Sequence, residues 1–167
     1  MAIGKDFSEL SRAIGYNFAD VSYLETALTH VSYSNELKAR GIFYKSNERL
    51  EFLGDAVLQI VISDILYDSY GKCNEGTLTK MRQYLVCQKT LAKIAEKYSL
   101  GEYLNVGAGE EENGLRFRPR ILANTTEALV AAIYLDAKAV GADYVGPILA
   151  LFGDEITNAA TVQWGDY

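Results

Sequence analysis

The chain predicts an all-α fold, and three observations carry that prediction. Apolar residues recur at helical spacing in successive segments, with Leu50, Leu53, Val57 and Val61 the clearest stripe. Residues that start and stop helices stand at the ends of those segments: Asp6, Asp20, Asn47 and Pro119 at beginnings, Gly71 at an end. Alternating β-branched runs between turn signals, the mark of strands, are few. The expected architecture is seven or more helices around a long central one.

Each element has its own signal. Asp6 is placed to cap a helix through about Ile14, and Asp20 a second carrying Tyr23, Leu24, Ala27 and Leu28. The segment Leu28 to Tyr33 then leads into a polar connection from Asn35 to Ser46. Asn47 sits where an N-cap belongs, ahead of a helix ending near Tyr70 with Gly71 as its stop. That helix is apolar on more than one face (Leu50, Phe52, Leu53, Val57, Leu58, Ile60, Val61, Ile62), as a central helix must be. Glu75-Gly76-Thr77-Leu78-Thr79 opens the next, through Met81, Leu85 and Val86, and a turn at Gln88 leads into Thr90 to Tyr98. Gly101 to Gly114 holds four glycines and the run Glu110-Glu111-Glu112, so it reads as a mobile surface loop. Pro119 fits the first turn of a helix through about Leu135, and a last helix covers roughly Ala142 to Ile156. Thr157 to Tyr167 has little pattern and reads as a tail or the start of a linker, which leaves residues 1–156 as one domain.

Composition bounds the function. At 167 residues the chain suits a single domain with a sizeable core. No apolar run is long enough to span a bilayer, and the start lacks the apolar stretch of a signal peptide, so no membrane association and a cytoplasmic location are expected. The two cysteines, Cys73 and Cys87, are then free thiols, and with one histidine, His30, their spacing fits no zinc pattern. A net charge of −6 argues against gripping nucleic acid by bulk electrostatics. Any such function rests on local basic patches, bound cations or a further module.

Two groups of oxygen-bearing side chains stand out. Glu48, Glu51 and Asp55 form one stripe of the long helix, with Glu51 and Asp55 roughly 40° apart about its axis. A solvated acidic face near a helix N-terminus is the plain explanation. Gly54 points elsewhere, because a mid-helix glycine costs about 1 kcal/mol against alanine and suggests close approach by another element. Phe52, between the acids, points away from the core stripe and suggests a second apolar surface such as a subunit interface. In the helix after Pro119, Asn124 and Glu127 share a face among the small residues Ala123, Ala128, Ala131 and Ala132. Two helices each offering a pair of oxygen ligands could make a hard-cation site suited to Mg²⁺ or Mn²⁺. Glu75 is a further acid, followed by Lys80 and Arg82, and Arg116, Arg118 and Arg120 form a basic cluster that suits phosphate. Capping and surface solubility are their plain readings. His30 reads as a turn or packing residue rather than a catalytic base.

With these residues assembled, the chain resembles the endonuclease domain of bacterial ribonuclease III. Asn47 to Leu58 is similar to that family's signature segment almost residue for residue. Supporting matches are Ala27-Leu28-Thr29-His30, Glu75-Gly76 with Leu78 and Arg82, and Ile121-Leu122-Ala123 followed by Thr126-Glu127-Ala128-Leu129, over roughly residues 6 to 156. The resemblance implies an all-α homodimer that needs Mg²⁺ and cleaves double-stranded RNA to 5′-phosphate and 3′-hydroxyl ends with short 3′ overhangs. It implies Glu51, Asp55, Asn124 and Glu127 as metal ligands and catalytic residues, and Glu48 and Glu75 as auxiliary acids, Glu75 near the dimer cleft. It implies Phe52 as the aromatic that enters a cavity on the partner, and Lys80, Arg82, Arg116, Arg118 and Arg120 are the candidate RNA contacts. The family carries an aspartate where this chain has Asn124, which offers one carbonyl oxygen and no charge. That implies a weaker hold on the metal and leaves an alternative, a catalytically disabled dimeric module of the same fold that binds RNA or protein. Such enzymes continue into a double-stranded-RNA-binding domain, and the tail ending Gly165-Asp166-Tyr167 resembles the start of that linker.

Overall fold

The computed structural model describes residues 5–162. Among the described residues it is built from eleven α-helices, with an isolated β-bridge between Thr29 and Asn105. The first three helices are α1 (Ser8–Ile14), α2 (Ser22–Ala27) and α3 (Val31–Ala39). The long helix is α4 (Glu48–Ser69), followed by α5 (Glu75–Val86) and α6 (Gln88–Lys97). Two short helices, α7 (Leu100–Tyr103) and α8 (Ala108–Glu112), precede a 3-10 turn at Leu115–Phe117. The chain closes with α9 (Pro119–Ala139), α10 (Val145–Phe152) and α11 (Glu155–Thr161). Among the described residues no helix is long and apolar enough to cross a membrane.

The core lies between α4 and α9, which pack along much of their lengths. α6 and α2 cover further faces of α9, and α5 folds back on α4. Of the expected stripe, Leu50, Val57 and Val61 are buried and Leu53 is half-buried against the core; Leu58, Ile62 and Leu66 complete the buried side of α4, and Leu122, Leu129, Val130 and Ile133 add to the core from α9. The alanines of α9 (Ala128, Ala131, Ala132) are fully buried and let α2 and the start of α4 come close. Asp136 fixes the N-terminal segment from inside. Its carboxylate accepts hydrogen bonds from the Tyr16 hydroxyl at 2.6 Å and the backbone N–H groups of Ala19 at 3.0 Å and Asp20 at 2.8 Å. Three donors are what a buried carboxylate needs to offset its desolvation.

Several expectations are corrected. The polar connection from Asn35 to Ser46 begins as α3, a surface helix that buries only Ser34 and so has no apolar stripe to announce it. The segment from Gly101 to Gly114 holds helical turns, with Gly101, Leu104 and Gly107 buried. α6 begins at Gln88 itself, and α9 runs past Leu135 to Ala139. The expected last helix is two, broken at Gly153, whose φ of 48° lies in the left-handed region that glycine tolerates. α11 continues to Thr161 with Ala159 in the core, and residues 163–167 of the expected tail lie outside the described residues. Asp6 and Asp20 sit one position before the caps, each accepting a hydrogen bond from the N–H two residues on. Asn47 occupies its cap position without capping, because its side chain is buried and engaged elsewhere.

Candidate active site

The crossing of α4 over α9 is set by one glycine. At Gly54 the backbone of α4 lies so close to Glu127 that a Cβ there would overlap the Glu127 carbonyl oxygen. The signal read from the sequence, a costly glycine inside a helix, has this as its cause. Glu51 and Asp55, on either side of Gly54, are thereby brought beside Glu127.

The electrostatics record that proximity. Glu127 is half-buried, and its carboxyl is pushed up to about 7, by burial first and then by the charges of Asp55 and Glu51. Burial likewise raises Glu51, with Glu48 and Asp55 adding to the shift and the Arg120 guanidinium opposing it. Four acids thus share one electrostatic neighbourhood. Among the described residues no three Asp, Glu, His or Cys side chains close on one point tightly enough to hold a metal ion as they stand.

A cleft of about 420 Å³ opens beside these acids, lined by His30, Asn47, Glu48, Glu51, Arg118, Arg120 and Asn124 among others. Asn124 therefore faces the same space as Glu48 and Glu51, while Asp55 and Glu127 lie outside the lining. Asn47 ties the start of α4 to the preceding segment. Its side-chain amide donates to the Ala27 carbonyl at 3.1 Å and its backbone N–H to the Thr29 carbonyl at 2.8 Å. His30, which the sequence suggests as a turn or packing residue, also lines this cleft.

The basic candidates divide. Arg118 and Arg120 are exposed and line the cleft. Arg116 is turned inward, donating to the carbonyls of Gly101 at 2.6 Å and Leu104 at 2.8 Å and pairing with Glu111 at 2.6 Å. It stitches α7 and α8 to the 3-10 turn. Arg82 donates to the Ser63 hydroxyl of α4 at 2.9 Å, and Lys80 is half-buried on the same helix, α5. Glu75 is exposed at the start of α5, where its carboxylate accepts from the Thr79 hydroxyl at 2.8 Å. Because α5 runs back along α4, Glu75 lies near the far end of α4, on the order of 25 Å from Glu51 at 1.5 Å of rise per residue. Within one chain it does not join the other acids. Phe52 is 81% exposed on the outer face of α4, with Ile60 and Tyr67 also exposed farther along the helix.

The model of a family described as Ribonuclease-III-like matches residues 20–146. A protein named Ribonuclease 3 from Shewanella piezotolerans is 50% identical over 133 residues, covering 80% of this chain and 55% of that protein. Another Ribonuclease 3, from Natranaerobius thermophilus, is 44% identical over 163 residues, covering 98% of this chain and 68% of that protein. The chain thus spans 55% and 68% of the length of these two curated relatives. A solved nuclease domain of ribonuclease III from Campylobacter jejuni superposes with a TM-score of 0.78 at 36% identity, covering 90% of this chain and 98% of that one. That structure is described as showing flexibility in a region involved in dimer formation. The family model covers most of the chain, and a relative 44% identical is matched over two thirds of its length, so the chain belongs to the ribonuclease-III-like family.

Proposed function

We propose that this chain is the nuclease module of a divalent-metal-dependent endoribonuclease that cuts double-stranded RNA, leaving 5′-phosphate and 3′-hydroxyl ends with short 3′ overhangs. The observation that carries the proposal is the seat of Gly54 on Glu127, which gathers Glu51, Asp55 and Glu127 beside a cleft edged by Asn124 and two arginines. The donor set fits a hard cation: every candidate ligand offers oxygen, and the acids repel one another in the absence of positive charge. Glu51, Asp55 and Glu127 would hold Mg²⁺ or Mn²⁺, with the Asn124 carbonyl contributing more weakly. When bound, such an ion acidifies a coordinated water and neutralises charge building on a phosphodiester.

The chain's own residues do the rest. Glu48 and Glu51 stand in the first turn of α4 and edge the cleft. Arg118 and Arg120 suit the phosphates of a duplex read by its shape and backbone. Glu127 must give up its proton before it serves as a ligand, so the site is weaker in acid. Phe52, with Ile60 and Tyr67, supplies the face for a second copy, and two-fold pairing would present one site to each strand.

Asn124 favours a second reading, a binding module of the same fold that does not cut. Purified chain and Asn124→Asp, incubated with duplex RNA and Mg²⁺, separate the two. Cleavage by both supports an active enzyme. Cleavage by Asn124→Asp alone supports the site and a disabled chain, and failure of both overturns the site.

A further inference from the structure

The cleft holds one side chain that the reading above leaves unused. His30 caps α3, and its ring is fixed from one side. The Ser32 backbone N–H donates to Nδ1 at 3.1 Å, and the Ser32 Oγ lies 2.8 Å from the same nitrogen. Oγ itself accepts from the Gly107 N–H at 2.9 Å, which leaves its own proton for Nδ1. A nitrogen facing two donors must be the acceptor of the imidazole, so the ring proton is on Nε2. Protonating Nδ1 would set it against both donors. Burial also disfavours the charged ring, with Glu110 and Glu48 opposing that effect less strongly. Among the described residues Nε2 has no hydrogen-bond partner, and His30 borders the cleft beside Glu48, Glu51 and Asn124.

An uncharged donor suits an uncharged acceptor. Phosphates already have Arg118 and Arg120 in the same cleft. The remaining acceptor that distinguishes RNA from DNA is the ribose hydroxyl. We propose that His30 contacts the substrate directly, its Nε2–H donating to a ribose 2′-hydroxyl oxygen of RNA held in the cleft. The proposal rests on the RNA reading above and adds to it a sugar-selecting residue.

Two variants separate the capping nitrogen from the donor. His30→Asn keeps an acceptor near Nδ1, since Asn is among the best N-caps, and removes the Nε2 donor. His30→Gln keeps an amide donor near Nε2 and loses the cap. Binding is read by anisotropy with an all-ribose duplex and with its 2′-fluoro counterpart, which keeps the A-form shape without the hydroxyl. Wild type is expected to prefer the ribose duplex. His30→Asn should lose about five-fold of that preference, the worth of one hydrogen bond, with unchanged melting and unchanged affinity for the fluoro duplex. His30→Gln should melt lower and keep most of the preference.

Because the chain has a single histidine, ring ¹⁵N NMR is unambiguous. It should report the Nε2-protonated tautomer, with a shift at Nε2 on adding the ribose duplex and none on adding the fluoro duplex. An Nδ1–H ring, full preference in His30→Asn, or equal losses on both duplexes would overturn the proposal while leaving RNA binding intact. If wild type binds neither duplex, the RNA reading fails first and this assignment falls with it.

Discussion

Gly54 of α4 and Glu127 of α9 are in backbone contact, with no room for a side chain between them. Gly54→Ala tests how much rests on that contact. The obstacle is a main-chain carbonyl in mid-helix, which cannot rotate away as a flexible side chain does. The two helices must separate, and overpacking of this kind costs about 2 kcal/mol. Urea unfolding should show that loss. Divalent-ion affinity, measured by calorimetry on the folded variant, should fall further than stability does, because the acids of the two helices move apart.

Glu127 gives a prediction with a sign. Its ordinary value is 4.5 and the fold pushes it up to about 7. Below the lower value both folded and unfolded chains are protonated there, and the group is neutral toward stability. As pH rises through the window between the two, the unfolded chain ionises first, so folding is progressively penalised, fully so above the folded value. Glu127→Gln removes the penalty. The stability gained by this variant over wild type should be small near pH 5 and largest near pH 8, as read by urea midpoints across that range. In the alkaline part of the range Mg²⁺ should raise the wild-type midpoint, since an ion bound only by the folded chain stabilises it, and should raise the Glu127→Gln midpoint much less.

Phe52 is 81% exposed in the single chain, so Phe52→Ala should change the stability of the protomer by under about 0.5 kcal/mol. If the outer face of α4 meets a second copy, the same change removes a large apolar anchor. It should then cost about 2 kcal/mol of association, or roughly thirty-fold in dimer dissociation constant. Ile60 and Tyr67 lie within about 80° of Phe52 around the helix, so Ile60→Ala and Tyr67→Ala should act in the same direction. Sedimentation across a concentration series separates the outcomes, and a wild-type monomer at all concentrations would remove this face from the argument.

What could be read from the chain follows a physical line. The stripe of α4 was legible because a buried helix between two layers must repeat apolar residues at its own period. Gly54 was legible because a glycine there costs free energy that only a close crossing repays. α3 was not, because a surface helix that buries Ser34 alone leaves no periodic trace. The glycines and acids from Gly101 to Gly114 suggest a loop, while its order comes from partners outside the segment, Arg116, Ser32 and Glu36 among them. The inward turn of Arg116 could not be told from the outward ones of Arg118 and Arg120, since three arginines at alternate positions look alike until the carbonyls that claim one of them are in place. His30 carried a weak signal, a serine two residues on at a helix start, which marks the cap but not the cleft behind it.

The two kinds of arginine should therefore fail differently. The Arg116 side chain is only 17% exposed and serves two carbonyls and the Glu111 carboxylate at once. Arg116→Ala strands those acceptors and should cost about 2 kcal/mol of stability, with amide exchange rising first across α7 and α8. Arg118 makes one long bond, 3.3 Å to the Asn113 carbonyl, so Arg118→Ala should leave stability within about 0.5 kcal/mol of wild type. Its effect should appear in RNA affinity instead, uniformly across sequences. The slope of log affinity against log salt should become shallower by about one, as one phosphate contact is removed. An Arg118→Ala chain with an unchanged salt slope would take that arginine out of the RNA path and leave the phosphates to Arg120.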